Sequence, residues 1–120
     1  MDEYEKLRAK TKQFAVRMVG TIDRLLSKRS SDVLGRQILR SATSIGAHYR
    51  AACRGRSKAE FVSKIHTVQE EADETQYRLE LLYAAGAVSH EDYTELHREA
   101  REPAAIFTAS EKTARLHSRS

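Results

Sequence analysis

Two groups of residues in this chain have types and spacing suited to chemistry: arginines and lysines recurring at helical intervals, and five histidines. On an ideal helix Arg36, Arg40, Arg50 and Arg54 fall within an arc of roughly 80°, opposite the apolar Ile38 and Ile45. Lys6, Lys10, Arg17, Arg24 and Lys28 fall within roughly 40° of one another by the same geometry. Arg56 and Lys58 follow at the next turn. The result is two basic ridges, each on the order of 30 Å long. Ridges of this length suit successive phosphates of a nucleic-acid strand, which cationic side chains bind with release of counterions. The alternative for either ridge is a solvated face, since a helix carries charge on its wet side. Few aromatics interleave with these cations, so base stacking is expected to contribute little and sequence preference to be weak.

The histidines point nowhere comparable. His48, His66, His90, His97 and His117 lack the spacing of paired ligands, and no Glu has a His three residues later, the pattern of di-iron bundles. The single Cys53 cannot complete a zinc site or an internal disulfide. No Walker loop, dinucleotide fingerprint or nucleophile elbow occurs. Ser41, Thr43 and Ser44 read as small helix residues. The expectation is a protein that is not an enzyme and has no cofactor and no metal.

Length and composition agree with a modest binding protein. The chain has 120 residues, 40% hydrophobic and 32% charged, which suits one globular domain over residues 1–120. A net charge of +4 and a pI near 9.4 permit a polyanion as partner without requiring one. The N-terminal MDEYEKLRAK is polar and acidic, with no apolar signal region, and no apolar run is long enough to span a membrane. With one cysteine, the expected setting is the cytoplasm.

The elements that must hold the basic ridges are helices. Ser57-Lys-Ala-Glu60 before Phe61 reads as a capping box, and Gly55 suits a left-handed helix stop just upstream. Ser89 to Asp92 is a second, weaker start, with Gly86 as the stop before it. Ser30, Ser31 and Asp32 mark the remaining break. Four helical segments follow, over about 2–28, 32–54, 58–85 and 90–116. Short connections make neighbours antiparallel, so the fold class is all-α, an antiparallel up-and-down four-helix bundle.

Each segment carries one apolar stripe. The first has Leu7, Phe14, Met18, Ile22 and Leu25; the second has Leu34, Ile38, Ala42, Ile45, Tyr49 and Ala52. In the third, Phe61, Ile65, Val68, Ala72, Thr75, Leu79 and Leu82 form a heptad seam, with burial expected for Phe61, Ile65, Val68 and Leu79 together with Ile45. The fourth, Tyr93, Leu96, Ala100, Phe107 and Ala114, is interrupted by Pro103, which should kink or split it. Gly46, among Ala42, Ser44 and Ala47, suggests close backbone approach; Gly20 reads as a tolerated surface glycine. On the third helix Tyr77, Leu81 and Ala84 lie opposite the seam, where an apolar patch marks a contact, here between subunits. Glu71 and Glu74 flank the seam and read as surface carboxylates or as partners for a neighbour's cations.

The run Arg40-Ser-Ala-Thr-Ser-Ile-Gly-Ala47, then Ser57-Lys-Ala-Glu-Phe61 with Lys64, then Glu71-Ala-Asp-Glu-Thr75 with Tyr77, Leu79, Leu81 and Leu82, resembles a known pattern. It is similar, over residues 7 to 100, to the bacterial four-helix-bundle family of 23S rRNA intervening-sequence proteins. His48 stands where that family usually has Asn, Ala51 where an acid is common, and Arg78 where Trp is frequent. The resemblance implies an up-and-down bundle, often a homo-pentamer. A related group accompanies diversity-generating retroelements as nucleic-acid-binding accessory proteins, which makes RNA or DNA the expected ligand and a reverse transcriptase a candidate partner. A structural or protein-interaction module with no nucleic-acid ligand is the alternative.

Overall fold

The computed structural model of the protein describes residues 2–102. Three helices are bounded within it: α1 (Glu3–Asp23), α2 (Arg29–Cys53) and α3 (Lys58–Ala84). A fourth, α4, begins at residue 90 and is helical through 102. Among the described residues there is no strand. Pro103, Phe107 and Ala114, together with the expected end of the fourth segment at 116, lie outside the described residues.

Local chemistry fixes most helix starts. The Asp2 carboxylate accepts from the Glu5 N–H at 2.8 Å, and Glu3 and Glu5 complement the positive end of α1. Ser57 accepts from the Glu60 N–H at 3.1 Å. Glu60 reaches back to the Arg56 N–H at 3.1 Å, so the capping box closes one residue further upstream than the standard pattern. Ser89 accepts from the Asp92 N–H at 3.1 Å at the start of α4. Gly86 ends the α3 region with φ +78, the left-handed conformation that favours glycine.

Three expectations on helix ends are corrected. The first helix stops at Asp23 rather than 28: the Arg24 N–H turns to Thr21 and Ile22 carbonyls, and Leu25 leaves the helix to pack, half-buried, against the core. The second begins at Arg29 rather than 32, and Asp32 accepts from the Ser27 hydroxyl at 3.1 Å instead of marking the break. Gly55 is not left-handed, since Gly86 is the one glycine with positive φ among the described residues. A Cβ at Gly55 would meet the Ala52 carbonyl oxygen at 3.1 Å and the Phe61 nitrogen at 3.3 Å, so the tightness of the α2–α3 turn is what suits glycine there.

The helices stand at the corners of a square in chain order. α2 packs on both α1 and α3, which make no close backbone approach to each other. α4 closes the square through Arg17–Glu95 to α1 and Tyr83–Tyr93 to α3. The seam of α3 faces inward: Ile65, Val68, Ala72, Thr75, Leu79 and Leu82 are buried against Met18, Ile38, Ala42, Ile45 and Tyr49. Phe61 is half-buried rather than buried, in the first turn of α3 with Tyr4 across it. A Cβ on Gly46 would lie 3.4 Å from Thr11 Oγ1 and 3.7 Å from the Thr11 backbone carbon, so α1 and α2 approach closely there. A polar link joins two helices within the core, Thr75 Oγ1 to Ser41 Oγ at 2.9 Å, both groups fully buried.

Candidate nucleic-acid interface

The alternating direction of the helices decides which cations are free. Thr75 beside Ser41, and Arg78 Nη1 donating to the Gln37 carbonyl at 2.9 Å, set the α2–α3 register. That register brings Arg40 between two acids of α3, 3.4 Å from Glu71 and 3.1 Å from Glu74. Arg17 is likewise taken up by α4, 2.5 Å from Glu95 and also bonded to Glu99. Partial burial lowers the Arg17 pKa, but bonding and attraction to Glu95 and Glu99 outweigh it and hold the pKa above its ordinary value. Arg24 is the C-cap of α1 and lies 4.0 Å from Asp92. Lys28 is the N-cap of α2, so the ridge read on one helix is carried by two elements. Lys6, Lys10, Arg36, Arg50 and Arg54 are exposed and make no ion pair among the described residues.

The charges also separate along the bundle axis. The first half of α1, the second half of α2 and the first half of α3 meet at one end, because the chain reverses at each turn. This end, residues 2–13 and 43–69, carries nine Lys and Arg against four Asp and Glu. The cations are Lys6, Arg8, Lys10, Lys12, Arg50, Arg54, Arg56, Lys58 and Lys64. Two of the four acids, Asp2 and Glu60, already accept backbone N–H groups. The remaining described residues carry nine Lys and Arg against twelve Asp and Glu, and of these Arg98, Glu99 and Glu102 of α4 reach the Lys10 side of the basic end. Lys6, Lys10, Arg50 and Arg54 thus share an end with Arg8, Lys12 and Lys64, which helix-by-helix arcs leave out, while Arg36 sits in the acidic half.

An aromatic cluster lies at the basic end. Tyr4 is 53% exposed and meets Phe61 edge to face, with centroids 6.5 Å apart and planes at 89°. Behind them the Tyr49 hydroxyl is buried against the Cys53 thiol. Burial first, then Cys53 and the nearby Tyr4, push its pKa up, and Arg8 pulls it down. The signal for this cluster was present in the sequence as Tyr4 and Phe61, each in the first turn of a helix, but their meeting needs the fold.

At the opposite end Tyr77 and Leu81 are 61% and 36% exposed, on the outer face of α3 among Asp73, Glu74 and Glu80. Where α3 and α4 pack, Tyr83 stacks on Tyr93 at 4.2 Å, with its hydroxyl 2.9 Å from His90 Nδ1. His97 lies beside Tyr93, its Nε2 3.5 Å from Glu80. Among the described residues no group of three His, Cys, Asp or Glu is arranged to hold a metal ion. None of the helices among them is long and apolar enough to cross a membrane.

Comparison with known proteins follows the same lines as the fold. The sequence model of the 23S rRNA-intervening sequence protein family matches residues 5–109, and the chain belongs to that family. A crystal structure of a protein of unknown function from the S23 ribosomal protein family of Bacteroides thetaiotaomicron is 33% identical in sequence. It superposes with a TM-score of 0.85 and covers 92% of this chain and 99% of its own. No curated protein matches.

Proposed function

We propose that this member of the 23S rRNA-intervening sequence protein family is a non-catalytic, oligomeric accessory protein that binds RNA or DNA through the basic end of its bundle, with little sequence specificity. The observation that carries the reading is the contrast between the two sets of cations. Arg17, Arg24 and Arg40 are engaged by acids of neighbouring helices, whereas Arg50 and Arg54, with Lys6 and Lys10, stand exposed at one end with no ion pair among the described residues. Such cations can meet phosphates without first breaking a bridge to a described acid. Each phosphate contact releases counterions, so binding falls steeply with salt. Assembly through Tyr77 and Leu81 would bring several basic ends within reach of one strand and raise affinity through multivalency. A cyclic homo-oligomer, the pentamer of the family resemblance included, meets this need with one repeated head-to-tail contact. A reverse transcriptase remains a candidate protein partner on that resemblance alone.

Titration of labelled RNA and DNA at two salt concentrations tests the reading. Arg50→Glu with Arg54→Glu should abolish most binding. Arg36→Glu, at the acidic half, should change it little. Equal binding by wild type and the R50E/R54E protein, or none at low salt, refutes it. Native mass spectrometry that finds only monomer at micromolar concentration removes the oligomeric part.

A further inference from the structure

We infer that the basic end takes single-stranded nucleic acid, one base stacking on the exposed ring of Tyr4 while Arg8, Arg50 and Arg54 meet the flanking phosphates; the inference rests on the nucleic-acid reading above. The argument begins from where Tyr4 stands. A Cβ on Gly46 would touch Thr11, and one on Gly35 would lie 3.1 Å from Ile22, which fixes the antiparallel register of α1 and α2. That register carries Tyr4 and Arg8 level with the last turns of α2, where Arg50 and Arg54 are exposed. The electrostatic influence of both Tyr4 and Arg8 on the buried Tyr49 hydroxyl is an independent sign of the same proximity. Glu3 and Glu5 are each turned about 100° away from Tyr4 around α1 and do not share its face.

The ring itself is suited to stacking. In an edge-to-face pair one ring presents its edge and the other its face, so whichever role Tyr4 takes, Phe61 covers at most one of its faces. The ring is steadied by that contact, so little freedom is lost when a base settles on it. A lone exposed tyrosine needs no explanation. An exposed aromatic level with arginines that make no ion pair among the described residues is the combination that single-strand binders use, with cations tracking the backbone and a ring taking a base. Bases inside a duplex have both faces occupied by their neighbours, so away from its ends a duplex offers Tyr4 no face. This reverses the expectation, drawn from the ridges, that stacking contributes little.

The protein contains no tryptophan, so Tyr4→Trp introduces a single fluorescent indole at the proposed site. The probe is a labelled DNA strand of roughly 16 nucleotides, the upper range of single-strand site sizes, compared with its duplex, with anisotropy reporting binding. The emission of the Y4W protein should be quenched by the single strand and not by the duplex at matching saturation. Tyr4→Ala should weaken single-strand binding roughly 5- to 100-fold, the usual range for losing one stacked base, and leave duplex binding unchanged. Tyr4→Phe should retain single-strand affinity. If single strand and duplex both bind while Y4W is not quenched and Y4A loses nothing, the inference falls and the basic-end reading stands. If neither binds at low salt, the basic-end reading falls and takes the inference with it.

Discussion

Replacing the buried hydroxyls of Ser41 and Thr75, singly and together, tests how α2 and α3 are joined. Both residues are fully buried. Thr75 Oγ1 lies 2.9 Å from Ser41 Oγ and 2.8 Å from the Glu71 carbonyl, and Ser41 Oγ lies 3.3 Å from the Ile38 carbonyl. Two hydroxyl protons serve three contacts. The shortest pair of bonds has Thr75 donating to Glu71 within its own helix and Ser41 donating across to Thr75. Thr75→Val keeps the side-chain shape and removes the acceptor, whereupon Ser41 turns its proton to the longer Ile38 contact. One neutral interhelical bond is lost and nothing is stranded, so the cost should be about 0.5–1.5 kcal/mol. Ser41→Ala loses the same bond, while Thr75 keeps Glu71, at a similar cost of about 0.5–1.5 kcal/mol. The double variant cannot lose that bond twice, and a coupling of about 0.5–1 kcal/mol is expected between the sites. The assay is urea unfolding followed by far-UV circular dichroism at one fixed protein concentration, since assembly shifts apparent stability. Strict additivity of the two substitutions, or a loss above about 3 kcal/mol for Thr75→Val alone, refutes the reasoning.

Other perturbations separate the remaining contributions. Ile65→Ala, at a fully buried seam position, should cost about 2–5 kcal/mol in the same urea titration. Arg40→Glu sets a carboxylate against Glu71 and Glu74 and should destabilise by about 1–2 kcal/mol, since partly exposed pairs contribute up to about 1 kcal/mol each. It is therefore a poor probe of binding, whereas Arg36→Glu should unfold at the wild-type urea midpoint. Gly46→Ala should be neutral or stabilising by up to about 1 kcal/mol, because its Cβ just fits 3.4 Å from Thr11 Oγ1, while Gly46→Leu should lower the thermal midpoint. The raised Tyr49 pKa stabilises the fold below its unfolded value of 10.0 and that contribution is lost as pH rises above it. Stability should fall by about 1.4 kcal/mol per pH unit there, and Tyr49→Phe should flatten that part of the stability–pH curve.

The bundle was legible because its core is written in helical periodicity. Ile65 to Leu82 recur at steps of four and three, and burial follows that rhythm wherever neighbouring helices cover it. Phe61 obeys the rhythm and is only half-buried, because position along the axis is invisible to a periodic pattern. The end of α1 was equally hidden. Arg24-Leu-Leu has no Gly or Pro, and the chain turns because Leu25 can reach the core while Leu26 is left exposed. The basic residues show the same limit in charge. Their arcs on each helix were readable, but Arg40 and Arg17 lose their freedom to acids more than thirty and seventy residues away, respectively. Arg8, Lys12 and Tyr4 join the basic end only because successive helices run in opposite directions.

If the protein assembles and binds a polyanion as proposed, the axial separation of charge would tie the two together. Copies set side by side and parallel would gather their basic ends on one face and repel one another there. A polyanion laid across that face would relieve the repulsion, so each equilibrium would strengthen the other by the same factor, as linkage requires. Dissolved salt would then act with opposite sign on the two: screening the repulsion would favour the assembly while competing with the polyanion for the same cations. Under the proposed function, a ring would therefore outlast its strand as ionic strength rises.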